Sequence, residues 1–122
     1  MSQDLKGSAR TYLRGLAHHL KPVVHLGKQG VSESLIKSVN EALEAHELIK
    51  LKFNCFKEER RTLSKEIEAQ TRSEMVGLIG NIAIYYREQH DKDKRKIDIP
   101  DNMRQRREND RGADVDGTGA AG

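Results

Sequence analysis

The stretch Pro22–Leu35, PVVHLGKQGVSESL, contains the most informative structural pattern in the sequence, and the other predicted elements are arranged around it. It opens with an apolar run, Val23–Leu26, that is too short for a helix and rich in β-branched residues, which predicts a buried strand. A four-residue G-x-x-G turn, Gly27–Gly30, comes next, and its glycines allow backbone conformations and close approaches that a Cβ would forbid. Ser32 then predicts the N-cap of a helix. The stretch therefore indicates a strand, a tight turn and a helix in succession.

This succession favours contact with a phosphate group. The first N–H groups of a helix have no partners within the helix and carry partial positive charge, so they attract anions. The turn differs from nucleotide-binding loops, because it lacks both the G-x-x-x-x-G-K-[ST] and the G-x-G-x-x-G spacings. We therefore expect Gly27, Lys28, Gln29 and Gly30 to contact a nucleic-acid backbone, with His25 beside them on the open face of the strand.

Basic charge is concentrated ahead of this turn. The chain carries a formal net charge of +3, yet residues 1–30 contain five Lys or Arg residues and a single acid, Asp4. A local excess of basic side chains indicates a polyanionic partner more strongly than the overall balance does.

A helix predicted over about residues 9–20 presents this charge as a stripe. Arg10, Arg14 and His18 recur every four residues and Lys21 follows three residues later, so all four lie along one side of the helix. Such a stripe fits either a solvated face or a binding face. Because no acidic residue interrupts it, we include Arg10, Arg14 and Lys21 among the candidate nucleic-acid contacts.

The cysteine and histidine residues of the sequence do not form a recognisable catalytic or metal-binding pattern. One cysteine, Cys55, allows neither an internal disulfide nor a multi-cysteine metal site. The five histidines show no metal-ligand spacing, and His46 is expected to be a core or helix-end residue. We therefore expect no enzymatic activity, no metal, no cofactor and no small-molecule substrate.

Composition also narrows the mode of binding and the location. The chain has no tryptophan and only 4% aromatic residues, which argues against a base-stacking platform as the main mode of nucleic-acid binding. No apolar run has the length of a membrane span or the character of a signal peptide. A single cysteine suits a reducing compartment. We expect a monomeric cytoplasmic protein with no membrane partner.

Hydrophobic periodicity predicts three helices and four strands. The helices are expected over residues 9–20, 32–46 and 58–71, and the strands over residues 23–26, 48–53, 74–79 and 82–86. A strand–helix–strand crossover is right-handed and places its two strands in parallel. The expected fold is therefore an α/β two-layer sandwich with a mixed four-stranded sheet, in the order α-β-α-β-α-β-β.

Four local expectations complete this interpretation. Gly80-Asn81 predicts a tight hairpin turn between the last two strands. Glu47 and the other acids of the second helix are expected to face water. Residues 97–99 could add a last edge segment, closed by Pro100. Residues 1–100 are expected to form the domain, and residues 101–122, which are charged, Gly-rich and poor in large apolar side chains, to be a disordered tail.

The motifs together resemble a CRM (chloroplast RNA splicing and ribosome maturation) domain, in the stand-alone bacterial form called YhbY-like. The resemblance covers about residues 5–100 and lies in LAHHLKPVV (16–24), LGKQGVS (26–32), ALEAHELIKLK (42–52) and VGLIGN (76–81), with the Ile-rich segment 82–87 in the position of the family's closing hairpin. Two features depart from the family pattern. Glu88 stands where proline is frequent, and the chain after Pro100 has no counterpart in the minimal domain.

This resemblance implies an RNA-binding α/β domain similar in fold to the C-terminal domain of translation initiation factor three. Stand-alone bacterial members associate with precursors of the large ribosomal subunit, so the implied partner is ribosomal RNA. Related plant domains serve intron splicing, and a regulator of translation or a splicing cofactor that binds another structured RNA is the alternative. The resemblance maps the RNA-binding loop to Gly27, Lys28, Gln29 and Gly30, and the adjoining basic helix to Arg10, Arg14 and Lys21.

Overall fold

The computed structural model of the chain describes residues 7–104, and the predicted order of helices and strands is confirmed within them. The helices are α1 (Gly7–Ala17), α2 (Glu33–His46) and α3 (Arg60–Thr71), and the strands are β1 (Val24–Leu26), β2 (Leu48–Phe53), β3 (Glu74–Ile79) and β4 (Ile82–Tyr86). α1 ends three residues earlier than predicted, in a turn where the Leu20 N–H donates to the Ala17 carbonyl. Pro22 follows that turn and prevents the helix from continuing.

The four strands form one mixed sheet in the order β1-β2-β4-β3. β1 and β2 are parallel, as the crossover through α2 predicts, and the other two pairs are antiparallel. Gly80, with φ +58°, makes the turn between β3 and β4, where a left-handed backbone conformation favours glycine. The α/β class and the mixed four-stranded sheet are therefore confirmed.

Helices cover both faces of this sheet. Ala83 and Tyr85 of β4 pack with α2 and α3 in one core, whereas Ile84 and Tyr86 pack with α1 in a second core on the opposite face. The protein thus has one layer more than the two-layer sandwich expected. The reason is visible in β4, IAIYY, which is apolar at every position, as strands covered on both faces are.

Ser32 caps α2 as predicted. Its hydroxyl oxygen accepts a hydrogen bond from the Leu35 N–H at 3.1 Å, and its own backbone is extended. The buried side chains of α2 are Leu35, Val39 and Leu43, at spacings of four residues. This cap fixes the first turn of α2 directly behind the G-x-x-G segment.

Glu47 corrects one prediction, because it is fully buried rather than facing water. α2 ends at His46, and Glu47 takes a left-handed backbone conformation (φ 66°) that turns its side chain inward. Its carboxylate accepts hydrogen bonds from three backbone N–H groups, of Gln89 (2.6 Å), Lys96 (2.7 Å) and Ile97 (2.9 Å). These donors compensate the loss of hydration that a buried carboxylate suffers.

Residues 88–104, which we call the C-terminal strap, pack against the α1 face of the sheet. Glu88 accepts from Arg104 at 2.5 Å and pairs with Arg95 at 3.5 Å, while Ile99 is buried in the α1 core. Residues 97–99 form no strand, and a short 3-10 turn at Asp101–Met103 follows Pro100. The packed chain therefore continues past the predicted boundary at residue 100, and residues 105–122 of the predicted tail lie outside the described residues.

Candidate nucleic-acid interface

The G-x-x-G turn lies at the end of the sheet where parallel strands finish. Because β1 and β2 run in the same direction, the turn after β1 and the loop after β2 meet at the same edge, the position where α/β sheets bind ligands. The Leu26 carbonyl joins the two segments, since it accepts from both the Asn54 N–H (3.0 Å) and the Cys55 N–H (3.2 Å). The N-terminus of α2 opens onto the same edge.

The turn itself is closed by its own backbone. The Gly30 N–H donates to the Gly27 carbonyl at 3.0 Å, and the Ser32 N–H donates to the Gly30 carbonyl at 3.0 Å. Lys28 and Gln29 are exposed at the tip, as predicted. A depression of about 330 Å³ lies between this turn, His25 and the first turns of α2. Its lining combines apolar Val23, Val24 and Leu35 with polar groups that could contact an anion, namely Lys28, Gln29 and the serines of the α2 N-terminus.

The two glycines of the turn differ in whether the backbone requires a glycine at their position. Gly30 has φ +66°, a conformation that L side chains adopt only with strain. Gly27 has no such conformation, and a Cβ built on it would meet nothing within 4 Å. The fold therefore requires glycine at position 30 but not at position 27.

His25 extends the site along the open face of β1. Its side chain is exposed, with Nδ1 3.4 Å from the Asn54 side-chain nitrogen. The parallel register places Lys52 of β2 directly beside it, and Lys52 is also exposed. The strand pairing thus adds Lys52 to the predicted residues, a contribution that depends on register and could not be read from the motif.

The basic stripe of α1 is not part of this cluster. Arg10 forms an ion pair with Glu74 (2.5 Å), and Arg14 donates to the Val76 carbonyl (2.6 Å). Both partners are in β3, which lies three strand spacings from β1, or about 14 Å. The alternatives left open for this stripe were solvation and binding, and the structure adds a third role, in which Arg10 and Arg14 fasten α1 to the sheet.

Lys21 lies apart from the turn as well. It is exposed in the connection before β1, at the opposite end of that strand from Gly27. There it lines a separate groove of about 550 Å³, whose other walls include Leu16, Leu20 and exposed His46 at the last position of α2. The structure thus brings His25 and residues 27–30 together and leaves Arg10, Arg14 and Lys21 elsewhere.

Phe56 is a further side chain at the turn that the sequence interpretation missed. It is 43% exposed and takes a left-handed backbone conformation with φ 56°. Its ring lies 3.5 Å from the position that a Cβ on Gly30 would occupy. The only signal in the sequence was a phenylalanine directly after the end of a strand, and that pattern is equally typical of a core residue.

Two further properties concern residues 7–104. No three His, Cys, Asp or Glu side chains in this part of the chain are grouped so that they could hold a metal ion. None of its helices has the length and apolar character needed to cross a membrane.

The fold and this edge define a class of protein, a small α/β domain that presents a G-x-x-G turn between a parallel strand and a capped helix. The CRS1 / YhbY (CRM) domain matches residues 5–87, and the chain belongs to this family. The predicted resemblance is therefore confirmed, and the match includes the turn, α2 and the β3–β4 hairpin.

Relatives of known sequence and structure agree with this assignment. The "Probable RNA-binding protein YqeI" of Bacillus subtilis is 39% identical over 98 residues, which cover 79% of this chain and 99% of that protein. An "RNA-binding protein" of Haemophilus influenzae is 36% identical over 97 residues, covering 79% and 95%. The solution structure of the hypothetical protein SAV1595 from Staphylococcus aureus superimposes with a TM-score of 0.64 at 35% identity, over 77% of this chain and 99% of that one.

Proposed function

We propose that this chain is an RNA-binding protein that holds the RNA backbone at the G-x-x-G turn and acts, without catalysis, in assembly of the large ribosomal subunit. RNA as the partner class is supported by the names of the bacterial relatives. The ribosomal role follows from the family resemblance, in which stand-alone bacterial members associate with large-subunit precursors.

The main support for the proposed contact is a glycine at position 27 that the fold itself does not require. Neither backbone conformation nor neighbouring atoms require glycine at this position. A glycine there does allow another backbone to approach closely, in front of the first N–H groups of α2 and beside the exposed Lys28. A phosphate in the 330 Å³ depression would meet these groups together with His25. Backbone contact of this kind requires no particular base.

The first test is the salt dependence of RNA binding. Lys28→Ala removes one proposed phosphate contact, so it is expected to lower affinity and to reduce the slope of log K against log salt by about 0.7 to 0.9. Lys65→Ala, on an exposed position of α3, removes the same charge elsewhere and serves as the matched control. Equal behaviour of the two variants would refute the assignment of the turn.

A second test addresses the ribosomal role. A cell lysate prepared at low salt is separated on a sucrose gradient, and each fraction is probed for the protein. Co-migration with free large subunits or their precursors, lost at high salt, is the expected result. A position only at the top of the gradient would contradict the ribosomal role and favour a regulator of translation or a splicing cofactor. Crosslinking followed by sequencing would then identify the RNA that the protein binds.

A further inference from the structure

Phe56 is an aromatic side chain in an unusual place. The chain has two Phe and three Tyr, all within residues 7–104, and Phe56 alone among them is exposed. Its left-handed backbone conformation costs about 1–2 kcal/mol for an L residue, and a bulky side chain rarely adopts it. Strained positions of this kind persist where the surrounding structure enforces them, and they cluster at binding sites.

The loop that carries Phe56 is held in place from two sides. Leu26, the last residue of β1, accepts hydrogen bonds from the two residues before Phe56, and the Phe56 carbonyl accepts from the Glu59 N–H at 3.1 Å. The ring lies beside Gly30, 3.5 Å from the position that a Cβ on that residue would occupy. The loop backbone is thus held beside the turn, and the ring that it carries is partly exposed to solvent.

The surroundings of the ring indicate what would cover it. Lys28 and Gln29 are exposed on the adjoining turn, and His25 and Asn54 are exposed on the adjoining strand and loop. An apolar protein surface would leave these polar groups without partners. A nucleotide offers both parts needed, a phosphate for the basic and N–H groups and a flat base for the ring.

We infer that Phe56 stacks on one unpaired base of the RNA strand whose phosphate lies in the G-x-x-G turn. This inference rests on the proposed function, and it adds a preference for single-stranded nucleotides at this position. A base inside a duplex is stacked on both sides and cannot present a face to the ring. One stacking residue is compatible with a binding mode dominated by backbone contacts.

A tryptophan substitution tests the contact directly. Because the chain has no tryptophan, Phe56→Trp introduces a single tryptophan, whose emission can be excited separately from that of the three tyrosines. Titration with single-stranded oligoadenylate is expected to quench its emission, whereas a strand of the same length with abasic riboses is expected to leave it unchanged. Leu16→Trp, at a 40% exposed position of α1, is the matched control and should respond to neither strand. Equal quenching of Phe56→Trp by both strands would overturn the inference.

Affinities provide the second readout. Phe56→Leu keeps an apolar side chain against Gly30 but removes the aromatic face, so it is expected to bind oligoadenylate about tenfold more weakly, within the range that one stacked base contributes. Its affinity for the abasic strand should equal that of the wild type, and Phe56→Tyr should restore binding of oligoadenylate. Thermal unfolding of each variant shows whether it folds.

The outcomes separate this inference from the function beneath it. If Phe56→Leu binds oligoadenylate as tightly as the wild type while Lys28→Ala binds both strands more weakly, stacking is refuted and binding of the RNA backbone stands. If the wild type binds neither strand, both proposals fail together.

Discussion

The two glycines of the G-x-x-G turn allow stability and RNA binding to be separated by single methyl groups. Gly30→Ala forces an L side chain into φ +66°, which should cost about 1–2 kcal/mol of unfolding free energy. The new Cβ would lie 3.5 Å from the Phe56 ring, an ordinary van der Waals distance that adds no further cost. For a domain of about 100 residues, this loss lowers Tm by roughly 4–15 °C.

Gly27→Ala should behave differently in both assays. Its Cβ meets nothing within 4 Å and its backbone lies outside the left-handed region, so its unfolding free energy should stay within about 0.5 kcal/mol of wild type. The methyl group would, however, stand where the RNA backbone approaches. Loss of one hydrogen bond between a backbone N–H and a phosphate, worth about 1.5–3 kcal/mol, corresponds to a ten- to hundredfold weaker Kd.

Thermal unfolding followed by circular dichroism and RNA binding followed by fluorescence anisotropy measure the two effects. The expected pattern is a stable Gly27→Ala that binds RNA weakly, beside a Gly30→Ala with lowered Tm. A Gly27→Ala protein that binds RNA like wild type would refute the close-approach argument. A Gly27→Ala protein as destabilised as Gly30→Ala would refute the backbone geometry on which it rests.

Three further predictions concern groups away from the turn. Glu47→Ala leaves three partly buried backbone N–H groups without their acceptor and should lower the unfolding free energy by about 3 kcal/mol in urea denaturation. An effect below about 1 kcal/mol would contradict the buried position of the Glu47 carboxylate. Arg14→Ala removes the hydrogen bond to Val76 and should lower Tm while leaving the salt slope of RNA binding unchanged, and a reduced slope would return Arg14 to the RNA interface. Burial raises the pKa of Tyr85 and Tyr86, so the folded state holds their protons more tightly than the unfolded state does. The unfolding free energy should therefore be unaffected by these groups below about pH 10 and fall above it by up to about 1.4 kcal/mol per pH unit for each tyrosine. Tyr85→Phe should halve this slope of unfolding free energy against pH, measured by urea denaturation at each pH.

The elements and their order followed from the sequence because their signals are local. The bounds of β3 and β4 were predicted to the residue, since the turn residues Gly80-Asn81 separate two mainly apolar runs. The Ser32 cap was predicted equally well, because a cap depends on groups only three residues apart. What periodicity could not supply was the side of the sheet on which α1 packs.

Long-range partners account for the parts that the sequence did not reveal. Glu47 resembles the exposed acids around it, and its burial depends on N–H groups more than 40 residues later in the chain. Arg10 and Arg14 form a basic stripe in the sequence, but their partners are in β3, more than 60 residues away. Charge periodicity shows that side chains share a face of a helix, and it does not show what that face meets.

The position of Glu47 also decides how this protein can be shortened. The family match ends at residue 87, which suggests an obvious truncation point for a minimal RNA-binding fragment. A fragment ending there would lack Gln89, Lys96 and Ile97, the three residues whose backbone satisfies the carboxylate. It would also lose Ile99 from the α1 core. The recognisable motif is thus shorter than the packed structure, and expression work with this chain should retain the polypeptide through residue 104.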